Sequence, residues 1–560
     1  MTVPAADLVL PSYDDAVVAG AVTAVGGPPG RHARLGGRRF WTPVRVLVVL
    51  TLVTMGLDWA QKAPCRNGNQ WTAEHQYTHA CYTDVVALFS SEGLVNEQVP
   101  YLEHPVEYPV VTGGVMQLSA LLGAGLAAQF PDGATRAARG VPDSTRSGVA
   151  LAAAEDNARG RHFYDVTWLL LTVCALVVTV STARLAGRRP WDAALFALAP
   201  GLLLHGTTNW DLVAVALAGL GLLLWARSRP VAAGVLLGLA TATKLYPVLF
   251  LAPLLVLCLR ADRLRAWTGA ALALVGTAVA LTVPVYLASP SFVERKGAQV
   301  ELAGSAWSRL PSEGLAALTP HHSVAGEVGV NAVYRFFDLS TRRGADWDSL
   351  YLQVQHLQTA QPDATASTLG GVLHHLGNAW AGVFDDPALV GGKAPVHLNT
   401  AVAVTFLLTL ALLSALLLAA PRRPRVPQAL FLTLVAFLLT NKVDSPQYVL
   451  WLIPLAVLAR PRWRPFLAWQ AAEVLVLFTR FYFFIANDQA GGIGIGWFFA
   501  AVLLRDALLL AYAALVVRDL WRPEHDVVRR DGVDDPAGGL LDGAPDRPRL
   551  PWFGRPAVTR

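Results

Sequence analysis

Long apolar runs alternate with short polar segments along most of this 560-residue chain. The runs occupy residues 44–59, 163–183, 191–205, 212–225, 231–246, 248–259, 267–287, 400–420, 428–440, 449–458, 466–485 and 493–517. A helix needs about 20 residues to cross a bilayer. Several runs are shorter, so the polar backbone at their ends must line a cavity or be buried in protein. The pattern predicts an all-α protein with about twelve transmembrane helices.

Composition supports a polytopic membrane protein. Hydrophobic residues make up 54% of the chain and charged residues only 15%, whereas soluble domains carry about 25% charged residues. The arginines fall in short clusters between apolar runs, which is how membrane proteins mark their cytoplasmic loops. We therefore expect the lipid bilayer as a partner and no nucleic acid.

The basic clusters also predict the topology. They are Arg184, Arg188 and Arg189; Arg227 and Arg229; Arg260, Arg263 and Arg265; Arg422, Arg423 and Arg425; Arg460, Arg462 and Arg464; and Arg518 and Arg522. All of them lie inside if residues 110–130, a glycine-containing apolar piece, do not cross the membrane. If these residues cross, all clusters lie outside. The positive-inside rule therefore predicts a re-entrant or interface-lying segment at 110–130, with both termini cytoplasmic.

Five regions follow from this arrangement. We expect disordered cytoplasmic tails at residues 1–40 and 518–560, since both are rich in glycine, proline and charge. Residues 41–288 form a first transmembrane module, whose first extracytoplasmic loop is 61–162. Residues 289–398 form an extracytoplasmic cap loop, with helices expected in these loops, and 399–517 form the second transmembrane module.

The first loop concentrates carboxylates and aromatic side chains. Its acidic residues are Asp84, Glu92, Glu97, Glu103 and Glu107, interleaved with Tyr82, Phe89, Tyr101 and Tyr108. A solvated linker would not need this pattern. Cys65 and Cys81 share the loop: on an oxidising exterior they could form a disulfide, or they could remain two free thiols.

Three other polar segments end apolar runs on the same predicted side of the membrane. They are residues 205–211, 244–247 and 441–448. We therefore expect polar groups from four distant parts of the sequence to meet at one face. A transporter would instead need charged residues along a path through the bilayer, and the chain has no convincing internal repeat of the kind found in many transporters.

The order of these motifs resembles that of the GT-C glycosyltransferases. It runs from Tyr82-Thr83-Asp84 through Pro100-Tyr101, Glu107-Tyr108-Pro109, Asn209-Trp210-Asp211 and Gly238 with Lys244-Leu245-Tyr246-Pro247 to Ser445-Pro446-Gln447-Tyr448. It is most similar to glycosyltransferase family 87, the actinobacterial polyprenol-phosphate-mannose-dependent mannosyltransferases, over about residues 40–517. The resemblance implies an inverting enzyme of the cell membrane that moves mannose from a polyprenyl phosphate to a lipid or glycan acceptor of the cell envelope on the extracytoplasmic face.

In such an enzyme Asp84 would be the catalytic base, since the acceptor hydroxyl must lose a proton as it attacks the anomeric carbon. The alternative is a helix cap or a surface carboxylate. Candidate substrate-binding residues are Glu103, Glu107, Tyr108, Asn209, Gln447 and Tyr448. Asn209 and Asp211 could instead cap the following helix, and for Asp211 we expect the cap.

The leaving phosphate needs cations in a place of low dielectric constant. Lys244, Lys442 and Arg480 are the candidates. Lys244 could instead extend to the interface, and Arg480 could form ion pairs between helices together with Glu473, Arg505 and Asp506. We expect no metal and no cofactor. Some relatives carry a second acid beside the base, where this chain has Val85 and Val86. The histidine pairs of the second loop, His321-His322 and His374-His375, lack the spacing of a structural zinc site.

A rival function is a flippase or transporter of polyprenyl-linked sugars without catalysis. A non-catalytic scaffold for envelope synthesis is a third possibility. Mannose rests on the resemblance, and arabinose or glucose would suit the same framework. The sequence does not determine the acceptor, the linkage or the oligomeric state.

Overall fold

Proline begins many of the apolar helices, because its missing N–H would have no intrahelical partner in the first turn. The computed structural model describes residues 8–26, 40–66, 75–131, 135–136, 148–359, 395–488, 491–532 and 534–547. The predicted cap residues 360–394, and the parts of the predicted tails at 1–7, 27–39 and 548–560, lie outside these described residues.

The helices of the first half of the chain are α1 (Pro11–Asp14), α2 (Ala16–Gly26), α3 (Pro43–Lys62), α4 (His75–Thr78), α5 (Asp84–Ser91), α6 (Val110–Gln129), α7 (Gly148–Leu185), α8 (Ala194–Ala197), α9 (Pro200–His205), α10 (Asp211–Ala226), α11 (Pro230–Thr241), α12 (Leu251–Ala261) and α13 (Leu264–Ala288). Short 3-10 turns at Leu94–Asn96, Pro190–Ala193 and Tyr246–Phe250 connect some of them.

The second half begins with a cap and returns to long helices. Its helices are α14 (Ala306–Glu313), α15 (Arg335–Arg342), α16 (Leu350–Thr359), α17 (Val396–Ala419), α18 (Val426–Thr440), α19 (Val449–Ala459), α20 (Trp463–Asp488) and α21 (Ile495–Trp521). Further 3-10 turns are Gly314–Leu318, Pro446–Tyr448, Pro523–His525, Arg529–Asp531 and Gly539–Leu541.

Seven of the described helices are long and apolar enough to cross a membrane: α3, α6, the Glu155–Leu185 part of α7, α13, α17, α20 and α21. Shorter apolar helices, among them α10, α11 and α18, pack between them. The protein is therefore a predominantly helical, multi-pass membrane protein, as the pattern of apolar runs predicts.

The cap contains one small sheet in a chain that is otherwise mostly helical, as predicted. Strands β1 (Ser291–Arg295), β2 (Ala298–Ala303), β3 (His321–Val324) and β4 (Glu327–Asn331) pair antiparallel in the order β2-β1-β4-β3. Both hairpins have two-residue turns with positive φ at each residue, 51° and 80° at Lys296 and Gly297 and 51° and 87° at Ala325 and Gly326. Such turns match the twist of paired strands.

The helix termini sort into two ends of the bundle. At the end here called the site end, the Thr207 N–H and hydroxyl donate to Asp58 near the end of α3, and the Asp84 N–H donates to the Thr208 carbonyl. At the opposite, basic end, Arg260 of α12 contacts the backbone after α17, and Arg425 contacts the last carbonyls of α19. Polar loops and arginine clusters thus separate to opposite ends.

Helix α6 lies along the site end. The Val111 N–H donates to Ala242 just after α11, and Gly123 packs against the backbone of Phe163 in α7. The next residue, Tyr164, hydrogen bonds to Thr207 at the same end. These contacts hold both parts of α6 near the site end, and its 20 residues are long enough to cross a membrane, so the re-entrant or interface-lying arrangement of residues 110–130 stays a prediction.

Two glycines allow α11 to touch α13. A Cβ added at Gly234 would lie 2.2 Å from the carbonyl oxygen of Ala270, and one added at Gly238 would lie 2.5 Å from that of Leu274. Small residues four apart permit this close backbone approach between membrane helices. The contact fixes the end of α11, from which Lys244 extends.

The described parts of the expected disordered tails, residues 8–26, 518–532 and 534–547, are instead ordered and include helices and 3-10 turns. Asp14 pairs with Arg189 at the basic end. After α21, Asp526 accepts hydrogen bonds from the buried Arg425, and Asp546 forms a two-point ion pair with the buried Arg260. Buried arginines need such partners, so the segment after α21 folds against the bundle despite its glycine- and proline-rich composition.

Candidate active site

Asp84 is the first residue of α5, and the chain before it is held at several points. Cys65 and Cys81 form a disulfide, which resolves the open choice between a bridge and free thiols. Thr83 caps α5, since its hydroxyl accepts from the Val85 N–H, and the same hydroxyl donates to Thr207. The start of α5 is therefore fixed against the segment that precedes α10.

Two donors hold the Asp84 carboxylate. The Tyr82 hydroxyl donates to Oδ1 at 2.6 Å, and the Asn209 side-chain amide donates to Oδ2 at 2.8 Å. The side chain is half-buried. A carboxylate has about four lone-pair sites, so each oxygen retains capacity for a further donor. Asp84 can therefore accept a proton from the hydroxyl group of a molecule that binds at the site end.

Asn209 connects this carboxylate to Tyr108. Its amide nitrogen also donates to the Tyr108 hydroxyl at 2.7 Å. Tyr108 is held in turn by the Tyr101 hydroxyl, which donates to the Tyr108 carbonyl at 2.9 Å. The predicted site residues Asp84, Tyr108 and Asn209 thus form one hydrogen-bonded group.

Lys244 lies on the other side of Tyr108. Its Nζ is 4.7 Å from the centre of the Tyr108 ring and 3.5 Å from Asp211 Oδ2. The expected helix-capping role of Asp211 is wrong: Trp210 occupies the N-cap position of α10, and the Asp211 carboxylate faces Lys244 instead. Its Oδ1 accepts from the Trp451 indole at 2.7 Å. Lys244 is buried, and its ammonium group faces the Asp211 carboxylate.

Three stacked aromatic rings lie next to Asp211 and Lys244. Trp451 stacks on Tyr448 with ring centres 4.0 Å apart and on Tyr246 at 4.4 Å. Gln447, on the same turn, is buried. The stack fixes the indole that donates to Asp211, so the predicted residues Gln447 and Tyr448 support the position of Lys244.

Three glutamates of the first loop have different surroundings. Glu103 is exposed and accepts from the Val99 N–H, which closes a turn. Glu107 is exposed at the cleft, where partial desolvation and the Asp84 charge raise its pKa, opposed by Arg343, Arg335 and Lys244. Glu92 is buried, and burial raises its pKa to about 8, with the Glu107 charge adding to the rise.

Lys442 and Arg480, the other predicted phosphate ligands, bind protein groups. Lys442 Nζ donates to Asn399 Oδ1 at 2.6 Å and to the Arg343 carbonyl. Arg480 pairs with Asp348 of the cap at 3.3 Å.

The predicted ion pairing between helices is present at Arg505. This buried arginine contacts Glu473, Asp506 and Asp444 at 3.8, 2.6 and 2.9 Å. Arg480 takes Asp348 rather than Glu473, because the cap brings that carboxylate to it.

Two site residues escaped sequence reasoning. Lys62 in α3 donates to the Tyr82 carbonyl at 2.8 Å, two residues before Asp84, and Asp58, one turn earlier, binds Thr207. Both are fully buried. The signal was present, since an acid and a base four residues apart within an apolar run mark a functional or paired site.

Comparison with known proteins supports a glycosyltransferase. Residues 162–321 match the model of glycosyltransferase family 87. The matched stretch includes Asn209, Asp211 and Lys244, whereas Asp84 and Tyr108 precede it. No curated protein matches the chain. The family match and the helical membrane architecture together indicate a membrane glycosyltransferase that resembles glycosyltransferase family 87.

Proposed function

We propose that this protein is an inverting glycosyltransferase that moves a sugar, mannose, from a polyprenyl-phosphate donor to a lipid or glycan acceptor of the cell envelope. Asp84 is the base and Lys244 binds the donor phosphate. A carboxylate and an ammonium group on opposite sides of Tyr108 carry this proposal. Asn209 links the carboxylate to the Tyr108 hydroxyl, and the ammonium group lies over the Tyr108 ring, so an acceptor-activating group and a phosphate-binding group flank one tyrosine.

The reaction is a single displacement. The acceptor oxygen forms a bond to the anomeric carbon, and its proton passes to Asp84. The bond between that carbon and the phosphate oxygen breaks, and the lipid phosphate keeps the electron pair. Attack opposite the leaving group inverts the configuration. The transition state resembles an oxocarbenium ion, as in glycoside hydrolysis.

Lys244 is suited to stabilise the leaving phosphate. Its buried ammonium has Asp211 at 3.5 Å, longer than a hydrogen-bonded ion pair. An incoming phosphate can therefore approach the ammonium without displacing a tight partner. In the low-dielectric cleft, a cation stabilises the developing phosphate charge more strongly than in water.

The separation of charges supports an extracytoplasmic site. The arginine clusters gather at the basic end, which the positive-inside rule assigns to the cytoplasm. The site end then faces the exterior, where a polyprenyl-phosphate donor is available and a nucleotide sugar is not. The polyprenyl chain lies in a groove between the helices.

Transfer of radiolabelled mannose from polyprenyl-phosphate-mannose by the purified, lipid-reconstituted protein tests the proposal. A bacterial envelope lipid extract supplies the acceptor. Asp84→Asn is expected to lower the rate about 100-fold or more, since general bases contribute 10²–10⁴-fold. Glu97→Gln is the matched control: Glu97 is an exposed acid of the same loop, paired with Arg159.

Transfer that survives Asp84→Asn in a folded protein would assign the base elsewhere, with Glu107 the next candidate. If the wild type transfers no sugar from several polyprenyl-phosphate donors, the enzyme proposal is overturned. Movement of the lipid-linked sugar across vesicle membranes would then support the rival flippase.

A further inference from the structure

Lys442 fixes a segment of the cap next to the cleft. Its Nζ donates to the Arg343 carbonyl and, at 3.5 Å, to that of Thr341. The Asp346 N–H donates back to the Lys442 carbonyl at 2.8 Å. Residues 341–346 are thereby attached to the loop that carries Gln447 and Tyr448, and the backbone of Arg343 has a defined place beside the aromatic stack.

The Arg343 side chain has no partner of its own. It is exposed, and it makes no hydrogen bond or ion pair with any residue in the part of the chain that the structure describes. Its charge acts on the Glu107 carboxyl and on the Tyr448 hydroxyl. Lys244 and Asp84 also act on Glu107. The Arg343 backbone is held beside the loop of Tyr448 by Lys442, and its charge, like that of Lys244, acts on Glu107.

Neighbouring arginines of the site end contrast with Arg343. Arg342 pairs with Asp338 at 3.0 Å, and Arg480 pairs with Asp348. Arg505 has several carboxylates around it. These side chains are ion-paired with protein carboxylates, whereas the Arg343 guanidinium remains available to bind an anion that enters the site.

We propose that Arg343 and Lys244 together bind the phosphate of the lipid donor, an inference that rests on the proposed function. Arginine presents a planar fork that can bind two phosphate oxygens, whereas lysine acts as a point charge. Lys244 comes from the bundle and Arg343 from the cap, so the phosphate bridges the two. Of the cations predicted from sequence, Lys442 positions Arg343 rather than binding phosphate itself.

The ligand group is a phosphate, which a polyprenyl phosphate, a phospholipid or free phosphate could supply. Binding of polyprenyl phosphate, the sugar-free product, to the reconstituted protein is compared with binding of polyprenol, phosphatidic acid and inorganic phosphate. Arg343→Gln is expected to weaken polyprenyl-phosphate binding about 10-fold or more. Arg343→Lys should retain part of the affinity, and polyprenol binding should not change.

Arg342→Gln is the matched control, because it removes the adjacent arginine, which is paired with Asp338. Its affinity for polyprenyl phosphate should stay within about 2-fold of the wild type, a small change beside the loss of a charged contact. Equal binding by wild type and Arg343→Gln would overturn the inference, as would equal weakening by Arg342→Gln. The inference would also be contradicted if Arg343→Gln lowered the affinity for inorganic phosphate or phosphatidic acid more than the affinity for polyprenyl phosphate.

The binding assay separates this inference from the proposed function. A protein that transfers no sugar but binds polyprenyl phosphate through Arg343 would refute the reaction and retain the site. Where transfer is active, Arg343→Gln should raise KM for the donor and leave KM for the acceptor unchanged. Thermal unfolding of each variant confirms that the cap remains folded.

Discussion

The side-chain amide of Asn209 donates a hydrogen bond to the Asp84 carboxylate at 2.8 Å, across 125 residues of sequence. The same nitrogen donates to Tyr108. Asn209 thus sets the distance between the first loop and the segment before α10, and it holds the proposed base in the cleft.

Replacing Asn209 by Leu should lower sugar transfer about 10- to 100-fold, since loss of a donor to a charged group costs about 1.5–3 kcal/mol. The transfer rate at saturating donor is the measurement. Tyr82→Phe removes the other donor to Asp84 and should have an effect of the same sign. Full activity in both variants would show that the hydrogen bonds do not position the base.

Glu92 should make stability fall as the pH rises. Its pKa is raised from 4.5 to about 8 by burial and by Glu107, while Arg335 opposes the rise. Between these values the folded protein holds a proton that the unfolded chain has released. The free energy of unfolding therefore declines with pH, by up to about 1.4 kcal/mol per pH unit.

Thermal unfolding of wild type and Glu92→Gln between pH 5 and 9 checks this slope. The amide stays neutral throughout, so the stability of the variant should not decline with pH in this way. Relative to its own value at pH 5, the variant should therefore be more stable at pH 8 than the wild type. Parallel curves for the two proteins would contradict the buried, protonated carboxyl.

Gly238→Ala should destabilise the bundle by about 1–3 kcal/mol, the usual cost of overpacking. The added Cβ would meet Leu274 O at 2.5 Å and Thr277 Cβ at 2.7 Å. Gly276→Ala is the control, because nothing lies within 4 Å of a Cβ at that position of α13. The difference in thermal midpoint is the readout. A midpoint equal to the control would mean that α11 and α13 can separate freely.

Reduction should lower the thermal midpoint of the wild type, because the Cys65–Cys81 bridge closes a loop with a sequence separation of 16. Chain-entropy arguments give about 3 kcal/mol for a loop of this size. The double variant Cys65→Ala with Cys81→Ala should melt at the lower temperature with or without reductant. If reductant still lowers the thermal midpoint of this variant, the disulfide is not the cause of the effect in the wild type.

Asp526→Asn should destabilise the basic end, because Arg425 is then left buried with a neutral partner. Breaking one side of a buried ion pair costs about 3–5 kcal/mol. Glu524→Gln is the control, since Glu524 is exposed two residues earlier. An unchanged thermal midpoint in Asp526→Asn would indicate that the segment after α21 does not stabilise the bundle.

Apolar length predicted the membrane helices well, because burial in lipid leaves few alternatives for a long apolar run. The cap was harder. Its strands are short and half-exposed, and the two-residue turns at Lys296 and Ala325 give weak signals without the usual Asn-Gly or Asp-Gly. The tail was misjudged because its folding depends on Arg260 and Arg425, which lie far away in sequence.

The sequence predicted that some candidate site residues would lie close together, and their roles stay predictions. Asp84, Tyr108, Asn209 and Lys244 come together as expected, because their runs all end on one side. A carboxylate at a helix start can either cap or pair, so sequence alone could not assign Asp211 to Lys244. Nor could it show that Lys442 would bind the cap, or that the Arg343 side chain would have no hydrogen-bond or ion-pair partner among the described residues.

The aspartates after α21 also set an order of events during synthesis. Asp546 follows Arg260 by 286 residues, which takes about 15–60 s at ordinary translation rates. Throughout that interval Arg260 lacks the carboxylate that later pairs with it, and Arg425 likewise lacks its partner until Asp526 is synthesised. An unpaired positive charge is the property that retains a loop in the cytoplasm. Once Asp526 and Asp546 have been synthesised, they neutralise Arg425 and Arg260. Under the proposed topology, the same arginines would first guide insertion and only later form structural ion pairs.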